Sequence, residues 1–362
     1  MKKILTLLLA LWMLTGCVAM AAGNQLVVGS TTAMSGAFFT DLFGSNTADM
    51  DVRALLHGYN LMSWDHETGT YQINDSVVAG MAVSKDAQNN RVYTFDLYGD
   101  LKFSDGSAIT AKDYAFSILL TASPELAKLG GQSAAVGAIL GMDAYQSGKS
   151  SVLRGVRLLS DTQMSITISK AYEPYFYEMA LFDYSPYPIS VLAPGCKVVD
   201  TEKGVGIVNA SGTGTAIFTA ALLQKTILDA ATGYMSHPSV VSGPYTLTSY
   251  DAQSGTASFA INPYYKGNEE GEKPTIETIV YRSVANDEAI DLLFSGEVDL
   301  LNKMVAADTI SKGIQSTANQ PFSVANYPRS GLSMISFSCE RRRSPARRFA
   351  RRLRVASTAT RW

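Results

Sequence analysis

The stretch 242–301 constrains the fold more than any other part of the chain. The spacing of its apolar residues changes from that of strands to that of a helix and back to that of a strand. Gly243-Pro244 fixes a sharp entry into it. Thr246–Tyr250 and Ala257–Asn262 then alternate polar and apolar residues on either side of a turn-rich segment, which predicts the two strands of a hairpin. Ile276–Arg282 predicts a third strand after a polar loop.

A helix and a further strand follow directly. Asn286–Ser295 has acidic residues in its first turn and apolar residues at helical spacing, and Gly296 stands where a helix-ending glycine is expected. Val298–Leu301 is a short apolar run that predicts a strand. Strand, helix and strand in this order predict a βαβ crossover, which requires a parallel sheet that is covered on its faces.

Composition sets the size and class of the protein. A chain of 362 residues is long enough for two lobes, and 46% hydrophobic with 17% charged residues predicts buried cores rather than disorder. The net charge is −2, but residues 341–362 hold nine Arg and no acidic residue, which leaves −11 for residues 1–340. An acidic body of this kind repels phosphates, so we expect no nucleic acid as a partner.

The N-terminus predicts export. Met1-Lys2-Lys3 followed by the apolar run Ile4–Leu14 has the charge and length of a signal peptide. The tetrapeptide Leu14-Thr15-Gly16-Cys17 resembles the lipobox of bacterial lipoproteins, which implies cleavage before Cys17 and attachment of lipid to its thiol. Two alternatives stay open: ordinary secretory cleavage at Ala19-Met20-Ala21, or a membrane span formed by a longer apolar stretch.

The loop after the first strand is the candidate ligand site. A short apolar strand at Leu26–Gly29 leads into residues 30–36, which are rich in hydroxyls and small side chains, and then into aromatic residues. An α/β lobe offers its carboxyl edge to a ligand at such a loop, where Gly36 would allow close backbone approach. The opposing interpretation is a solvated turn whose Phe side chains are core. The candidate ligand-binding residues are Thr32, Met34, Ser35, Gly36, Phe38 and Phe39.

Other motifs indicate no chemistry. The histidines, His57, His66 and His237, lack the spacing of a metal site. The alternative of a secreted α/β hydrolase lacks support, because there is no Gly-x-Ser-x-Gly motif and no histidine near a candidate nucleophile. Cys196 and Cys339 could pair outside the cell, but two distant cysteines do not specify a disulfide. We therefore predict no catalytic residue, no metal and no cofactor.

Elsewhere the sequence predicts helices, strands and a linker. Thr110 with Asp113 three residues later predicts a capped helix. The remaining predicted elements are a helix at Asp51–Tyr59, a hairpin of Val152–Leu159 and Met164–Ser169, a helix at Ala171–Leu181, a Gly-rich linker at Gly204–Gly214 and a helix at Ala216–Thr232. The aromatic residues between 172 and 187 fill a core or line a peptide cleft.

Two groups of motifs resemble a known family. The later group comprises Gly243-Pro244-Tyr245, the turn Asn262-Pro263-Tyr264-Tyr265-Lys266-Gly267 and Gly296-Glu297-Val298-Asp299. The earlier group comprises Tyr93–Leu97, Lys102–Gly106 and Thr110–Tyr114. Together, and behind an export signal, they are similar to the extracytoplasmic solute-binding proteins of ABC importers, in the branch that binds oligopeptides and dipeptides. The resemblance covers residues 26–338.

The resemblance implies an α/β fold of the periplasmic-binding-protein type, two-lobed and of type II. It divides the chain into a signal peptide with lipobox at 1–23, lobe I at 24–59 and 240–326, an accessory domain inserted at 60–239, and the start of lobe II at 327–340. Residues 341–362 form an aberrant Arg-rich tail.

We expect this tail to be translated out of frame after Glu340, so that the second lobe is largely missing. The family's acidic clamp for the amino terminus of the ligand would be missing with it. One alternative is a genuine basic arm that binds nucleic acid or anionic lipid. Another is a truncated relic without function.

The function that the resemblance implies is transport without enzymatic activity. The protein is expected to be a monomer outside the cytoplasm, in the cell envelope or periplasm, held to the membrane through a lipid anchor. There it captures an oligopeptide or dipeptide between two lobes and delivers it to the ABC permease subunits by hinge closure. The alternative within the family is a non-peptide ligand such as nickel, haem or a sugar.

Overall fold

The computed structural model describes residues 24–326 apart from 45, 66, 133–136, 174 and 319–320. Contacts divide the chain into a unit at 1–311 and a second unit at 312–362. The predicted signal peptide, Cys17, the start of lobe II, Cys339 and the Arg-rich tail lie outside the described residues. All sheets described below belong to the first unit.

The strands of the described residues are short, and most pair antiparallel. They are β1 Gln25–Ser30, β2 Met62–Asp65, β3 Thr70–Ile73, β4 Val78–Lys85, β5 Arg91–Leu97, β6 Val152–Leu153, β7 Val156–Leu158, β8 Gln163–Ile168, β9 Cys196–Thr201, β10 Gly204–Asn209, β11 Tyr245–Asp251, β12 Thr256–Ile261, β13 Thr278–Ser283 and β14 Leu300–Asn302. The α-helices are α1 Thr47–Leu56, α2 Ala111–Thr121, α3 Pro124–Ala127, α4 Met142–Gln146, α5 Ile189–Leu192, α6 Ala220–Thr226, α7 Ala289–Ser295 and α8 Ala307–Ser316.

One sheet, here called the central sheet, combines the first strand with the last four, in the order β11-β12-β13-β1-β14. β11 and β12 form the predicted hairpin, and β12 pairs antiparallel with β13. β1 pairs in parallel with β13 on one side and with β14 on the other. The predicted unit of β13, α7 and β14 is confirmed, with β1 lying between its two strands. Gly296 ends α7 at φ +76°, as predicted.

Both faces of the parallel part of the central sheet are covered. Successive side chains on a strand point to opposite faces, and Val28 packs with Val52 of α1 in one buried cluster. On the other face, a Cβ atom at Gly29 would lie 2.9 Å from Val298 Cγ1, and Val298 clusters with Ala289 of α7. The helix that follows β1, α1, therefore covers one face of the sheet, and the helix that follows β13, α7, covers the other.

Residues 60–239 form separate sheets. These are β4-β5-β8-β7, β6-β10-β9 and the hairpin β2-β3, and their core includes the buried face of α2. Thr110 and Asp113 form the predicted capping box, with the N–H of Thr110 donating to Asp113 Oδ2 at 2.8 Å. The domain boundaries drawn from the sequence remain a prediction.

The two groups of family-like motifs contact each other where the central sheet meets these other sheets. Lys266 Nζ lies 2.8 Å from Asp100 Oδ1. A Cβ atom at Gly106 would lie 3.0 Å from Tyr264 Cζ, so the ring of Tyr264 packs directly on the turn of the earlier group. The N–H of Lys266 donates to Tyr59 Oη at 2.5 Å. The turn that contains Tyr264 and Lys266 is thus a structural joint.

The helix predicted at Ala171–Leu181 is wrong. Its place is taken by 3-10 segments at Lys170–Tyr172 and Glu178–Phe182. Glu173 and Glu178 both form ion pairs with Arg91 of β5, and these contacts require the chain to turn between them. Among the aromatic residues of this region, Phe182 is fully buried and Phe176 has an exposed fraction of 84%.

The helix predicted at Ala216–Thr232 is too long, because only its middle forms α6. Thr219 caps the helix, with the N–H of Leu222 donating to Thr219 Oγ1 at 3.3 Å. Asp229 turns the chain after α6 by accepting from the N–H groups of residues 231 and 232.

The Gly-rich linker predicted at Gly204–Gly214 is wrong in its first half. Residues 204–209 are β10, which pairs with β9 along its whole length, and Val205 is fully buried. The hairpin predicted after residue 152 is confirmed for β7 and β8, whereas β6 pairs with β10 instead.

Candidate functional site at the carboxyl edge of the central sheet

The carboxyl ends of the parallel strands place Ser30, Ser283 and Asn302 side by side. We call this end of the central sheet, with the loop after β1 and the residues after β14, the carboxyl edge. In open α/β sheets ligands bind at such an edge, where two neighbouring strands connect to opposite faces. Because β1 and β13 meet that condition, the carboxyl edge is the candidate ligand site.

One side of α1 holds the loop after β1 in place. Asn46, Asp49, Arg53 and His57 recur every three or four residues, which places them along one side of the helix and its caps. Asn46 Nδ2 donates to Ala33 O at 2.8 Å, Asp49 accepts from Ser35, Arg53 Nη1 donates to Ala37 O at 2.7 Å, and His57 Nε2 lies 3.0 Å from Phe38 O. The shape of the loop is therefore set by side chains of α1.

Asp49 makes the largest number of these contacts. It is fully buried, and its carboxylate accepts from the N–H of Ser35 at 2.8 Å and from the hydroxyl of Ser35 at 2.6 Å. Asn46 Oδ1 accepts from the N–H of Asp49 at 3.0 Å, which completes a capping box. The helix therefore begins at Thr47, and the prediction that it begins at Asp51 is wrong. The Asn-x-x-Asp spacing was the available signal.

His57 is held in its neutral form. Its pKa is lowered from the ordinary value of 6.5 to about 4, chiefly by burial and to a smaller extent by the nearby charge of Arg53, whereas the hydrogen bond with Phe38 opposes the shift. With a neutral ring, the Nε2–H group donates to the carbonyl of Phe38. The ring lies 6.2 Å from that of Tyr234 and 5.9 Å from that of Phe39.

The six predicted ligand residues divide into accessible and buried ones. Ser35 is exposed and Thr32 is half-buried, whereas Met34, Phe38 and Phe39 have exposed fractions of 8%, 0% and 3%. Gly36 is buried at φ +85°, a conformation that favours glycine. The structure thus brings all six into one loop, with the apolar ones turned inward.

The buried aromatic residues support the loop from beneath. Phe38 packs edge-on against Tyr250, with ring centroids 4.6 Å apart. Phe39 packs edge-on against Tyr234, with ring centroids 5.0 Å apart. Core packing, which the sequence left open, therefore accounts for both rings in this structure. Ligand contact by any of the six residues stays a prediction.

A polar network that the sequence analysis missed lies at the same edge, after β14. Asp51 on α1 accepts hydrogen bonds from Tyr281 Oη at 2.7 Å and from Asn302 Nδ2 at 2.8 Å. Lys303 Nζ forms an ion pair with the other oxygen of the Asp51 carboxylate. Lys303 has φ +54°, which is uncommon for a residue other than glycine.

Tyr281 stays protonated within this network. Burial raises the pKa of its hydroxyl, and the hydrogen bond to Asp51 raises it further. A protonated hydroxyl can donate to the carboxylate, so Tyr281 and Asn302 fix Asp51 Oδ2 while Oδ1 is left for Lys303.

Other kinds of site find little support in the part of the chain that the structure describes. There, no group of three or more His, Cys, Asp or Glu side chains could hold a metal ion. Cys196 is a free, buried thiol, and burial raises its pKa. Among the helices that the structure describes within residues 24–326, none has the length and apolar character needed to cross a bilayer.

Comparison with known proteins gives consistent matches. A profile described as "Bacterial extracellular solute-binding proteins, family 5 Middle" matches residues 76–356. The oligopeptide-binding protein OppA of Lactococcus lactis subsp. lactis (strain IL1403) is 28% identical over 233 residues, which cover 63% of this chain and 32% of that protein. The periplasmic oligopeptide-binding protein OppA of Escherichia coli (strain K12) is 33% identical over 111 residues, which cover 30% of this chain and 20% of that protein.

The fold has similar solved structures. Lactococcal OppA, complexed with an endogenous peptide in the closed conformation, matches with a TM-score of 0.58 and 20% identity over 83% of this chain and 48% of that chain. The predicted α/β fold of the periplasmic-binding-protein type is therefore confirmed. The chain spans about half the length of that structure and 32% of the length of the lactococcal relative. Because the profile matches most of its residues, the chain belongs to the bacterial extracellular solute-binding proteins, family 5.

Proposed function

We propose that this chain provides the first lobe of a peptide-binding component of an ABC importer. The observation that carries the proposal is the carboxyl edge, where neighbouring parallel strands connect to opposite faces and a hydroxyl-rich loop is fixed by α1. The relatives are described as oligopeptide-binding proteins, and the similar structure contains a peptide. Membership of the family supports the same ligand class here.

Ser35 and Thr32 are the accessible members of the predicted site. In the proposed complex they lie beside an extended peptide, whose backbone groups are held by hydrogen bonds as in strand addition. Met34, Phe38 and Phe39 form the apolar support under the loop. A fixed loop reduces the entropy that binding would otherwise cost.

Delivery to the permease follows from hinge closure between lobes. A ligand that contacts both lobes shifts the equilibrium toward the closed state only because it binds the closed state more tightly than the open state. The closed form is the one that we propose the permease subunits recognise. The chain acts as a binding protein in this scheme and catalyses no step.

The proposed location is outside the cytoplasm, with a monomeric protein held at the membrane by lipid on Cys17. The lipobox-like Leu14-Thr15-Gly16-Cys17 supports the anchor. Growth of expressing cells with labelled palmitate tests it: label should enter the protein and be lost in Cys17→Ser. Unlabelled wild-type protein in the soluble envelope fraction would favour ordinary secretory cleavage instead.

Calorimetry on the purified chain with a library of short peptides tests the ligand class. Saturable heat with peptides is expected. No binding heat with any peptide, together with binding heat on adding nickel, haem or a sugar, would show that the ligand is one of the non-peptide ligands of the family.

A further inference from the structure

We propose that Lys303 recognises a carboxylate group of the ligand, and that Asp51 positions it for this role. The inference rests on the proposed function and gives the carboxyl edge a preference for anionic groups. Lys303 directly follows β14, and its side chain has an exposed fraction of 33%. It is therefore a cation that solvent and ligand can reach at the edge.

The donors of the ammonium group are only partly used. An ammonium has three N–H groups and accepts no hydrogen bond. In the part of the chain that the structure describes, Asp51 Oδ1 is the partner provided for Lys303 Nζ. Two N–H groups therefore remain for an incoming acceptor, and a ligand carboxylate can bind without breaking the ion pair.

The Asp51 carboxylate is held independently of Lys303. Its Oδ2 atom accepts from Tyr281 Oη at 2.7 Å and from Asn302 Nδ2 at 2.8 Å. Tyr281 has an exposed fraction of 3%, so this side of the network is closed to solvent. The network fixes where the ammonium lies, whether or not a ligand is present.

The backbone of Lys303 is a second observation. A residue other than glycine at φ +54° costs on the order of 1 kcal/mol, and such strain clusters at ligand sites. Glycine at this position would relieve it but would supply no cation. The strained conformation, the partly exposed side chain of Lys303 and the doubly held Asp51 together favour a binding role for Lys303 over a purely structural ion pair.

The charge of the chain adds selectivity. Residues 1–340 carry a formal charge of −11, so this part of the chain repels anions on average. A fixed ammonium at the carboxyl edge gives an anionic ligand group a local partner there. Charge-assisted hydrogen bonds of this kind are about twice as strong as neutral ones.

The test uses the full 362-residue chain with two matched probes, acetyl-Ala-Ala and its C-terminal amide. The chain is labelled with ¹³C-lysine, and the ε-CH₂ resonance of Lys303 is assigned by its loss in Lys303→Met. The free acid should shift this resonance saturably and bind about tenfold more tightly than the amide. Lys303→Met should lower the affinity for the acid to that for the amide, whereas Lys303→Arg should retain the preference.

Lys112→Met is the matched control, because Lys112 also forms one ion pair, with Asp161, far along the chain from the edge. It should leave both affinities unchanged. Equal binding of acid and amide, or a Lys303 resonance that neither probe moves, overturns the inference even if longer peptides bind. If the free acid alone shifts the Lys303 resonance and the chain binds no member of the peptide library, carboxylate binding by Lys303 is supported and the proposed peptide-binding function is contradicted.

Discussion

The carboxylate of Asp49 binds both the backbone N–H and the hydroxyl of Ser35, at 2.8 and 2.6 Å. These two contacts connect the start of α1 to the loop that follows β1. Asp49 is fully buried, so its oxygens have no water to replace a lost partner. The shape of the candidate site therefore depends on a side chain of α1.

Asp49→Asn should reduce the free energy of unfolding by about 1–3 kcal/mol, because an amide has only one acceptor oxygen and its NH₂ group would face a donor that the buried carboxylate now satisfies. Urea denaturation measures the change. Asp161→Asn is the control, since the side chain of Asp161 has an exposed fraction of 71% and its ion pair with Lys112 contributes little. Equal stability of Asp49→Asn and wild type would show that the contacts to Ser35 are dispensable.

His57 should make the protein less stable in acid. Its pKa is about 4 when folded and 6.5 ordinarily, so between these values the unfolded chain binds the extra proton. Stability is therefore fully present above pH 6.5 and falls as the pH is lowered toward 4, by about 2–3 kcal/mol at pH 4.5 from this group. His57→Gln retains a donor for Phe38 O and cannot titrate.

The measurement compares wild type with His57→Gln at pH 7.5 and 4.5. The difference between them isolates His57 from Asp113, whose pKa burial raises to about 6 and which therefore acts in the opposite direction. His237→Gln, a change at another half-buried histidine, is the control. A parallel decline of His57→Gln and wild type would contradict the assignment of a neutral ring.

Gly36→Ala should destabilise the protein more than Gly44→Ala. Both glycines have positive φ, +85° and +103°, so both substitutions carry the backbone cost of about 1 kcal/mol. A Cβ atom at Gly36 would lie 3.3 Å from Tyr250 Cε1, whereas one at Gly44 would meet nothing within 4 Å. Thermal unfolding of the two variants measures the packing contribution. Identical midpoints would show that the side chain of Tyr250 can move away from the added methyl group without loss of stability.

Tyr59→Phe should weaken the contact between the end of the α1 segment and the turn that contains Lys266. The hydroxyl of Tyr59 accepts from the backbone N–H of Lys266, and because Lys266 is exposed, loss of this hydrogen bond should cost about 1 kcal/mol. Hydrogen exchange at the amide of Lys266 reports the loss directly. Tyr98→Phe, a change at a more exposed ring, should leave this exchange rate unaltered. Unchanged protection in Tyr59→Phe would contradict the contact.

Local rules predicted those parts of the fold that are specified by neighbours in sequence. The hairpin of β11 and β12, the end of α7 at Gly296 and the capping box of Thr110 and Asp113 each depend on residues within a few positions. Periodicity failed where a distant partner redirected the chain, as when Glu173 and Glu178 bind Arg91 in place of an α-helix.

The candidate site was predictable only in part for the same reason. The hydroxyl-rich loop is continuous in sequence, so its place after β1 could be inferred. Asp51 and Lys303 are 252 residues apart, and no spacing rule connects them. The inward direction of Phe38 depends on Tyr250, which belongs to a strand that arrives much later in the chain.

The position of β1 between β13 and β14 has a consequence for biosynthesis. Gln25 pairs with Thr278 and Ser30 with Asn302, so the first strand of the sheet gains its neighbours only after β13, and then β14, have been synthesised. Contacts this distant in sequence form slowly and expose unpaired strand edges meanwhile. Any fragment that stops before Asn302 will lack the β14 part of the carboxyl edge, including Asn302 and Lys303, even if its other sheets assemble.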